Sequence, residues 1–550
     1  MTSSIPFPRP YVLLTGATGM VGSQILARLL RSQVPVVVLA RSKPGRFKRR
    51  SQSAAERIEL IIKRFESNFG RMLKRPVVID GDVNEPNLAL NVDELRWLEM
   101  HCGQIIHSAA SLSFRPAEQS LDNEPFRTNR EGTERLASLC ESLGISKFHY
   151  ISTAYVCGER IGNIAESELN CGQTFSNDYE RSKLQAEEHL RERFSGRNLT
   201  VYRPSIVIDS TGLSPVWQDR TVYGAYAMFN GLATKFGLPS RGEWFRNLGL
   251  AGEHCKNLVE ASWVADVVVK IFENESLHGR IYHVTARDGT SIEQMEDAFH
   301  MVTAETLSAK EARKSVAAFG RITSPVTTKL SPLTVAQRAM MDAIAAPFVD
   351  TFLPYFRDDP KFSRDNIDLS LEQLMIAEQP EINAETLANM IRLGGSKELL
   401  GQGAMEVGAS LYSQRIKFGN SCLRSEDSAS TQNSWGIIVS GPGGGDFLIQ
   451  SDKPEFVFWG GESSCHRVYV SSLDWQALID GGETARGLIL SGRMTIEYDH
   501  VGDTKNEEQM QDEAAGAVAQ ACHVFASLRP IECVSGTAVR HASQSLRTPK

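Results

Sequence analysis

Tyr179 and Lys183 stand four residues apart in Asn177-Asp178-Tyr179-Glu180-Arg181-Ser182-Lys183, and Thr153 lies upstream, just past the apolar stretch 147–151. A four-residue separation puts both side chains on one face of a helix. An ammonium beside a phenol favours the phenolate and lowers its pKa. That suits a proton donor or acceptor near neutral pH. Thr153, at the C-terminal end of a strand, can help hold a substrate oxygen. Tyr-x-x-x-Lys alone is frequent on solvated helices, so its weight depends on the elements that position it.

Those elements begin with Thr15-Gly16-Ala17-Thr18-Gly19-Met20-Val21-Gly22, between the apolar run 11–14 and a helical pattern over 20–30. Strand, glycine turn and helix are the context of a dinucleotide fingerprint. Gly16 permits the turn, Gly19 admits a pyrophosphate, and Gly22 lets helix lie on strand, while the helix N-terminus faces the phosphates. The apolar run 34–40 reads as a strand buried on both faces. It ends at Arg41, where an arginine suits the 2′-phosphate of NADP rather than the 2′-OH of NAD. Arg46, Lys48, Arg49 and Arg50 extend the basic character.

A helical pattern over 53–73 and a short strand over 77–79 follow, ending at Gly81-Asp82-Val83. Asp82 can accept from the adenine amino group or simply serve a turn. The strand over 105–107 ends at His107, read as a structural histidine rather than a base. After it, Ser108-Ala109-Ala110 leave room for the cofactor backbone. A helix over 129–143 and a strand over 147–151 continue an alternation that predicts a parallel, doubly wound α/β sheet of Rossmann type.

Length and composition set bounds. The 550 residues exceed one ordinary core, so several domains are expected. The 41% apolar and 23% charged composition is that of a soluble globular chain, and the net charge of -7 gives no argument for nucleic acid. The nine cysteines show no metal-ligand spacing and read as reduced thiols in a cytosolic protein, so no metal is expected. Residues 1–10 lack the features of a signal peptide. No uninterrupted apolar stretch reaches the length of a membrane span.

On Thr15–Gly22, His107–Phe114, Asn129–Thr133, Tyr150–Val156, Asn177–Lys183 and Tyr202–Val207, residues 11 to about 290 resemble an extended short-chain dehydrogenase/reductase. The resemblance runs to fatty acyl-CoA reductases and to thioester-reductase domains of carboxylic acid reductases and peptide synthetases. It implies catalytic roles for Thr153, Tyr179 and Lys183. Tyr179 would give its proton to the reduced oxygen, and Lys183 would bind the nicotinamide ribose and tune Tyr179. Asn129 would support the relay, and Pro204-Ser205 would line the nicotinamide pocket. The related epimerase register favours Thr153 over Ser152. One departure stands out: these reductases carry a segment like Asn-Leu-Val-Pro-Val-Asp-Trp-Val, whereas 257–264 reads Asn-Leu-Val-Glu-Ala-Ser-Trp-Val, with Glu260 and Ser262 as the changes.

The reductase-like domain is expected over 1–300, with a substrate-binding insertion at 209–257, followed by a helical cover and connector over 301–399. Within the connector, 333–352 reads as helical, with Met340, Met341, Ile344 and Phe348 covering the reductase; peripheral membrane contact stays open. From 400 to 530 a smaller α+β domain is expected, with strands at 434–439, 446–449, 456–458 and 467–470. Asp474–Gly481 and Leu490–Ile496 are similar to sterol carrier protein type lipid-binding domains. Leu488, Leu490, Met494 and a helix over 513–528 would line an apolar tunnel. Residues 531–550 read as a tail. The expected activity is NADPH-dependent reduction of a lipophilic acyl thioester, on CoA or an acyl carrier protein, to aldehyde or alcohol. A sterol or hydroxylipid dehydrogenase and a non-enzymatic, nucleotide-binding lipid-transfer protein are the alternatives.

Overall fold

Seven short apolar segments form the sheet that positions the site. In a computed structural model they are β1 (Tyr11–Thr15), β2 (Val36–Ala40), β3 (Val77–Asp80), β4 (Cys102–His107), β5 (Lys147–Ile151), β6 (Leu199–Pro204) and β7 (Ile281–Val284). Their spatial order is β7-β6-β5-β4-β1-β2-β3, and every neighbouring pair is parallel. Every residue of β1 and β2 is buried, as strands covered on both faces require. The order reverses between β1 and β4, and the crevice beyond the strand ends there is where open α/β sheets bind ligands.

The structure describes residues 9, 11–44, 51–114, 116–120, 122–194, 196–214, 252–317, 357–395, 434–440, 445–450, 453–458, 466–471, 494–497 and 514–518. Arg46 to Arg50, most of the insertion, the helix expected at 333–352, Asp474–Gly481, Leu488, Leu490 and the tail lie outside the described residues.

Alternate strand residues feed two cores. Val12, Leu14, Val36 and Val38 pack on one face with α1 (Met20–Arg31), α2 (Ala54–Phe69) and the later helix Ala261–Phe272. Leu13, Val37, Ile105 and Phe148 pack on the other with α3 (Val92–His101), α4 (Gly132–Ser142) and α5 (Asp178–Arg193). Ser53 and Glu56 form a capping box at the start of α2, and Gly70 ends it in the left-handed conformation at φ 65. The helix Ala261–Phe272, α6, is tied to α1 by a bidentate pair: Arg28 Nε and Nη2 reach Asp266 at 2.7 and 3.1 Å.

Residues expected to be a connector contribute to this core. Ile367 and Leu371 join the α1 face, and Leu387, Met390 and Ile391 pack with Ile292 and Phe299. The helix beginning at Ile292 runs to Ala317, across the expected boundary at 300.

Strands 434–440, 445–450, 453–458, 466–471 and 494–497 form a separate five-stranded sheet. Strand 434–440 pairs in parallel with 466–471, and the other pairs are antiparallel. The strands expected in this region are present.

A buried ionic network holds β5, β6 and α5 together. Glu187 and Arg203 are fully buried, and Arg203 Nη2 and Nε donate to the two carboxylate oxygens at 2.7 and 3.1 Å. Ser152 Oγ donates to Glu187 at 2.9 Å and Arg191 Nη2 at 2.8 Å. Burial alone would raise the Glu187 carboxyl; Arg203 and Arg191 outweigh it and hold it below the usual range. Removing Arg203 leaves the buried Glu187 with only Arg191 and Ser152 to compensate it, so Arg203→Met should cost about 3 kcal/mol. Breaking the exposed Arg130–Glu134 pair should cost under about 1 kcal/mol. Urea unfolding of both variants checks this contrast.

Candidate active site

The glycine turn closes on the protein's own backbone. Gly16 has φ +75, and a Cβ there would lie 2.4 Å from Ala109 N; one on Gly22 would lie 2.1 Å from Gly16 O. Both positions therefore demand glycine for internal reasons. Gly19 is different: a Cβ there would meet only Gly16 O, at 3.3 Å. It caps α1 with no side-chain hydrogen bond and no acidic residue in the first turn. Thr18, Gly19, Met20 and Val21 are partly exposed along this N-terminus. An open approach to free N–H groups at a helix start fits a dinucleotide phosphate.

Thr15 was expected to bind the cofactor, and its side chain has an internal use as well. Thr133 Oγ1 donates to Asn129 O at 2.6 Å, so it must accept from His107 Nε2, 2.9 Å away. The buried His107 is then protonated on Nε2, and its Nδ1 accepts from Thr15 Oγ1 at 2.7 Å. Thr15 Oγ1 in turn accepts from Ala109 N at 3.3 Å. Burial, helped by Lys183, pulls the imidazole down to about 3, so it stays neutral. This chain pins the loop after β4, with Ala109 half-buried and Ala110 exposed, against the glycine turn.

At the end of β2, Arg41 is 63% exposed and lies 3.4 Å from Asp82. Arg57, which the sequence reading did not single out, reaches the same place from α2 and donates to Arg41 O. Burial and the neighbouring Arg41 lower the Arg57 guanidinium. Asp80 is taken up by Ser42 N at 2.8 Å, and Asp82 also accepts from Asn84 N at 3.0 Å. Val83 is buried against Gly132. Only the basic loop before α2 hinted at Arg57 in the sequence.

Thr153, Tyr179 and Lys183 meet at the C-terminal end of β5. Thr153 Oγ1 accepts from Tyr155 N at 3.3 Å, and its proton has Pro204 O at 3.5 Å, the outer limit of a hydrogen bond. Ser205 Oγ is buried with no protein hydrogen bond. Phe114 packs edge-on against the Tyr179 ring at 5.4 Å. Burial raises the Tyr179 phenol well above its ordinary value, Glu180 adds to this, and a hydrogen bond with Thr153 opposes it. Lys183 was expected to lower it. Instead its ammonium is buried, donates to Ile151 O at 2.7 Å and sits 4.2 Å over the Tyr150 ring. Asn129 gives its amide protons to Ser111 O and Ser182 Oγ, both at 3.0 Å, and accepts from Ser111 N at 2.7 Å. It thereby clamps the loop after β4 to α5.

The departure at Glu260 is absorbed by the fold. This buried residue accepts from Ser210 N at 3.2 Å, and its own N–H donates to Gln379 Oε1 at 3.1 Å. Burial raises its carboxyl, and the Ser210 hydrogen bonds oppose that. Asn257, from the same segment, both donates to and accepts from the Ala286 backbone at 2.9 Å. Among the described residues no acidic, histidine and cysteine group could hold a metal ion, and no helix is long and apolar enough to cross a membrane.

Burial pulls Lys183 from 10.5 to about 7, with Glu187 opposing. The folded value lies below the unfolded one, so between them the unfolded chain binds more protons, and stability from this group rises with pH above about 7. The donor-rich ammonium is conversely lost over the same rise. On the role the resemblance implies for Lys183 at the nicotinamide ribose, NADH, which has no 2′-phosphate to titrate, should bind more weakly at about pH 8.5 than at about pH 6. In Lys183→Met its binding should be weaker and nearly flat with pH. Fluorescence titration of NADH measures both.

Residues 14–266 match the NAD-binding family model described as "Male sterility protein". A putative fatty acyl-CoA reductase of Drosophila melanogaster is 33% identical over 150 residues, 26% of this chain and 28% of its own length. The fatty acyl-CoA reductase wat of the same organism is 26% identical over 260 residues, 40% of this chain and 48% of its own. An isonitrile lipopeptide synthase of Streptomyces coeruleorubidus is 29% identical over 197 residues, 35% of this chain and 13% of its own. The chain thus spans less than half the length of each of these relatives. The terminal R domain of the myxalamid biosynthetic pathway superposes with a TM-score of 0.49 at 20% identity, covering 70% of this chain and 90% of that one. By its strand order and glycine turn, the first part of the chain is a Rossmann-like, doubly wound parallel α/β domain, similar over 14–266 to NAD-binding reductases.

Proposed function

We propose that the chain is an NADPH-dependent reductase of a lipophilic acyl thioester, presented on coenzyme A or an acyl carrier protein. The observation that carries this is the meeting of Thr153 and Tyr179 beside Pro204-Ser205, where the two hydroxyl groups share a hydrogen bond and Thr153 is held only loosely by Pro204 O, at 3.5 Å. The fatty acyl-CoA reductases among the relatives support the substrate class. Residues of the Gly16–Gly22 turn would hold the pyrophosphate, Ala109 and Ala110 would flank it, and Asp82 would face the adenine. Arg41 and Arg57, two guanidinium groups at one strand end, favour a 2′-phosphate and hence NADP. When bound, the reduced dinucleotide supplies a hydride.

The chain's own residues would act on the carbonyl oxygen. Thr153 Oγ1 accepts from Tyr155 N–H, which orients the hydroxyl, and its proton would turn from its weak contact with Pro204 O to that oxygen. Tyr179, with its phenol raised, is protonated at neutral pH and acts as an acid toward the developing oxyanion. Burial around both groups strengthens these interactions. The tetrahedral hemithioacetal then breaks its C–S bond, releasing a thiol and an aldehyde; a second reduction gives the alcohol. The sheet over 434–497 and its sterol carrier-like segments would hold or present the acyl chain.

Incubation with NADPH and palmitoyl-CoA, with free thiol followed by a chromogenic disulfide, tests the reading. Thiol should appear as NADPH is consumed, and Tyr179→Phe should slow both by at least about 100-fold. Consumption of NADPH without thiol release would favour a hydroxylipid dehydrogenase instead.

A further inference from the structure

The described segment 357–366 straps the strand ends that carry the site. Arg357 Nη2 donates to Gly158 O at 2.9 Å, and Lys361–Phe362 pair in parallel with Asn163–Ile164. Cys255 N donates to Asp358 at 2.7 Å, and His283 Nδ1 lies 2.9 Å from Ser363 O. One segment therefore touches the loop after β5, strand β7 itself and the stretch ahead of α6.

At its centre Asp359 is almost fully buried and accepts from three donors. Lys256 Nζ pairs with Oδ1, and Oδ2 takes Asn257 N at 2.8 Å and the Tyr155 hydroxyl at 2.7 Å. The Tyr155 ring also packs edge-on against Phe362 at 6.0 Å, so the strap holds it at both the ring and the hydroxyl. Tyr155 lies in the single helical turn Ala154–Cys157 that Thr153 caps, and its N–H is the donor that Thr153 Oγ1 accepts. The backbone that fixes the direction of the Thr153 proton is thus anchored through a side chain to a residue 204 positions away.

We infer that Asp359 and Tyr155 are positioning residues for Thr153: the buried carboxylate fixes the Tyr155 phenol, and through the turn it fixes the hydroxyl that receives the substrate oxygen. This rests on the reductase reading for the role of Thr153. It does not depend on which carbonyl compound is reduced. Neither residue touches the reacting atoms, and both act through one hydroxyl.

A double-mutant cycle on the full chain tests it, with Tyr155→Phe, Thr153→Val and the double variant. Palmitoyl-CoA is the first substrate, followed by a medium-chain aldehyde and a keto-sterol, so the cycle is run on whichever the wild type reduces. Failure of the thioester alone then counts against the proposed substrate and leaves the cycle intact. Tyr155→Phe should lower kcat by between about 10- and about 100-fold, the cost of a small misplacement. Its NADPH dissociation constant should stay within about twofold, and retained binding shows that the variant is folded. In the Thr153→Val background the same change should lower kcat by less than about twofold, because the group it positions is gone. Equal losses in both backgrounds, or wild-type turnover in Tyr155→Phe, would overturn the inference. A loss of NADPH binding that parallels the loss of kcat would overturn it as well, since the effect would then be general.

Discussion

The Glu187–Arg203 ion pair is the constraint on which the candidate site depends. Glu187 lies one turn beyond Lys183 on α5, Arg203 lies at the end of β6 next to Pro204, and Ser152 immediately precedes Thr153. All three side chains are joined in one buried cluster. The helix that carries Tyr179 and Lys183 therefore cannot turn or slide against the strands that carry Thr153 and Pro204 without breaking charge-assisted hydrogen bonds in a dry interior. Such a pair adds little net stability over an apolar one, but it specifies a single register. The proposed function needs that register, because it asks Tyr179 and Thr153 to converge on one oxygen.

A second network joins this chemistry to the phosphate end of the crevice. From Ala109 N through Thr15, His107 and Thr133 to Asn129, each hydroxyl accepts one hydrogen bond and donates another, the ring accepts at Nδ1 and donates at Nε2, and the chain runs in one direction. Asn129 then bonds Ser182, whose hydroxyl donates to Tyr179 O. The glycine turn and α5 are thus tied by side chains across β4 and α4, so the turn and the Tyr179 end of the crevice share one rigid frame.

Much of the frame was legible because it rests on local chemistry. The apolar runs at 11–14 and 34–40 became buried strands, and the capped helix after Ser53 began where its serine and Glu56 allow. Gly16 and Gly22 were legible because their own backbone contacts forbid a Cβ. What sequence spacing could not show is the direction of a long side chain. The Tyr179–Lys183 spacing implies a shared helical face, yet the Lys183 ammonium turns to Ile151 O and the Tyr150 ring, and burial rather than a neighbouring charge sets the Tyr179 phenol. Contacts between distant segments were equally hidden. Arg57 joins Arg41 only once α2 packs beside β2, and Asp359 reaches Tyr155 across 204 positions.

The central claim is that hydride reaches the carbonyl carbon of a thioester whose oxygen Thr153 and Tyr179 hold. The most direct measurement is isotopic: reduction of palmitoyl-CoA with NADPH deuterated at the transferable position of C4, followed by mass and NMR analysis of the product. The account predicts deuterium at C1 of hexadecanal, and at C1 alone if the alcohol forms. Deuterium elsewhere on the chain, or a product with none, would contradict it.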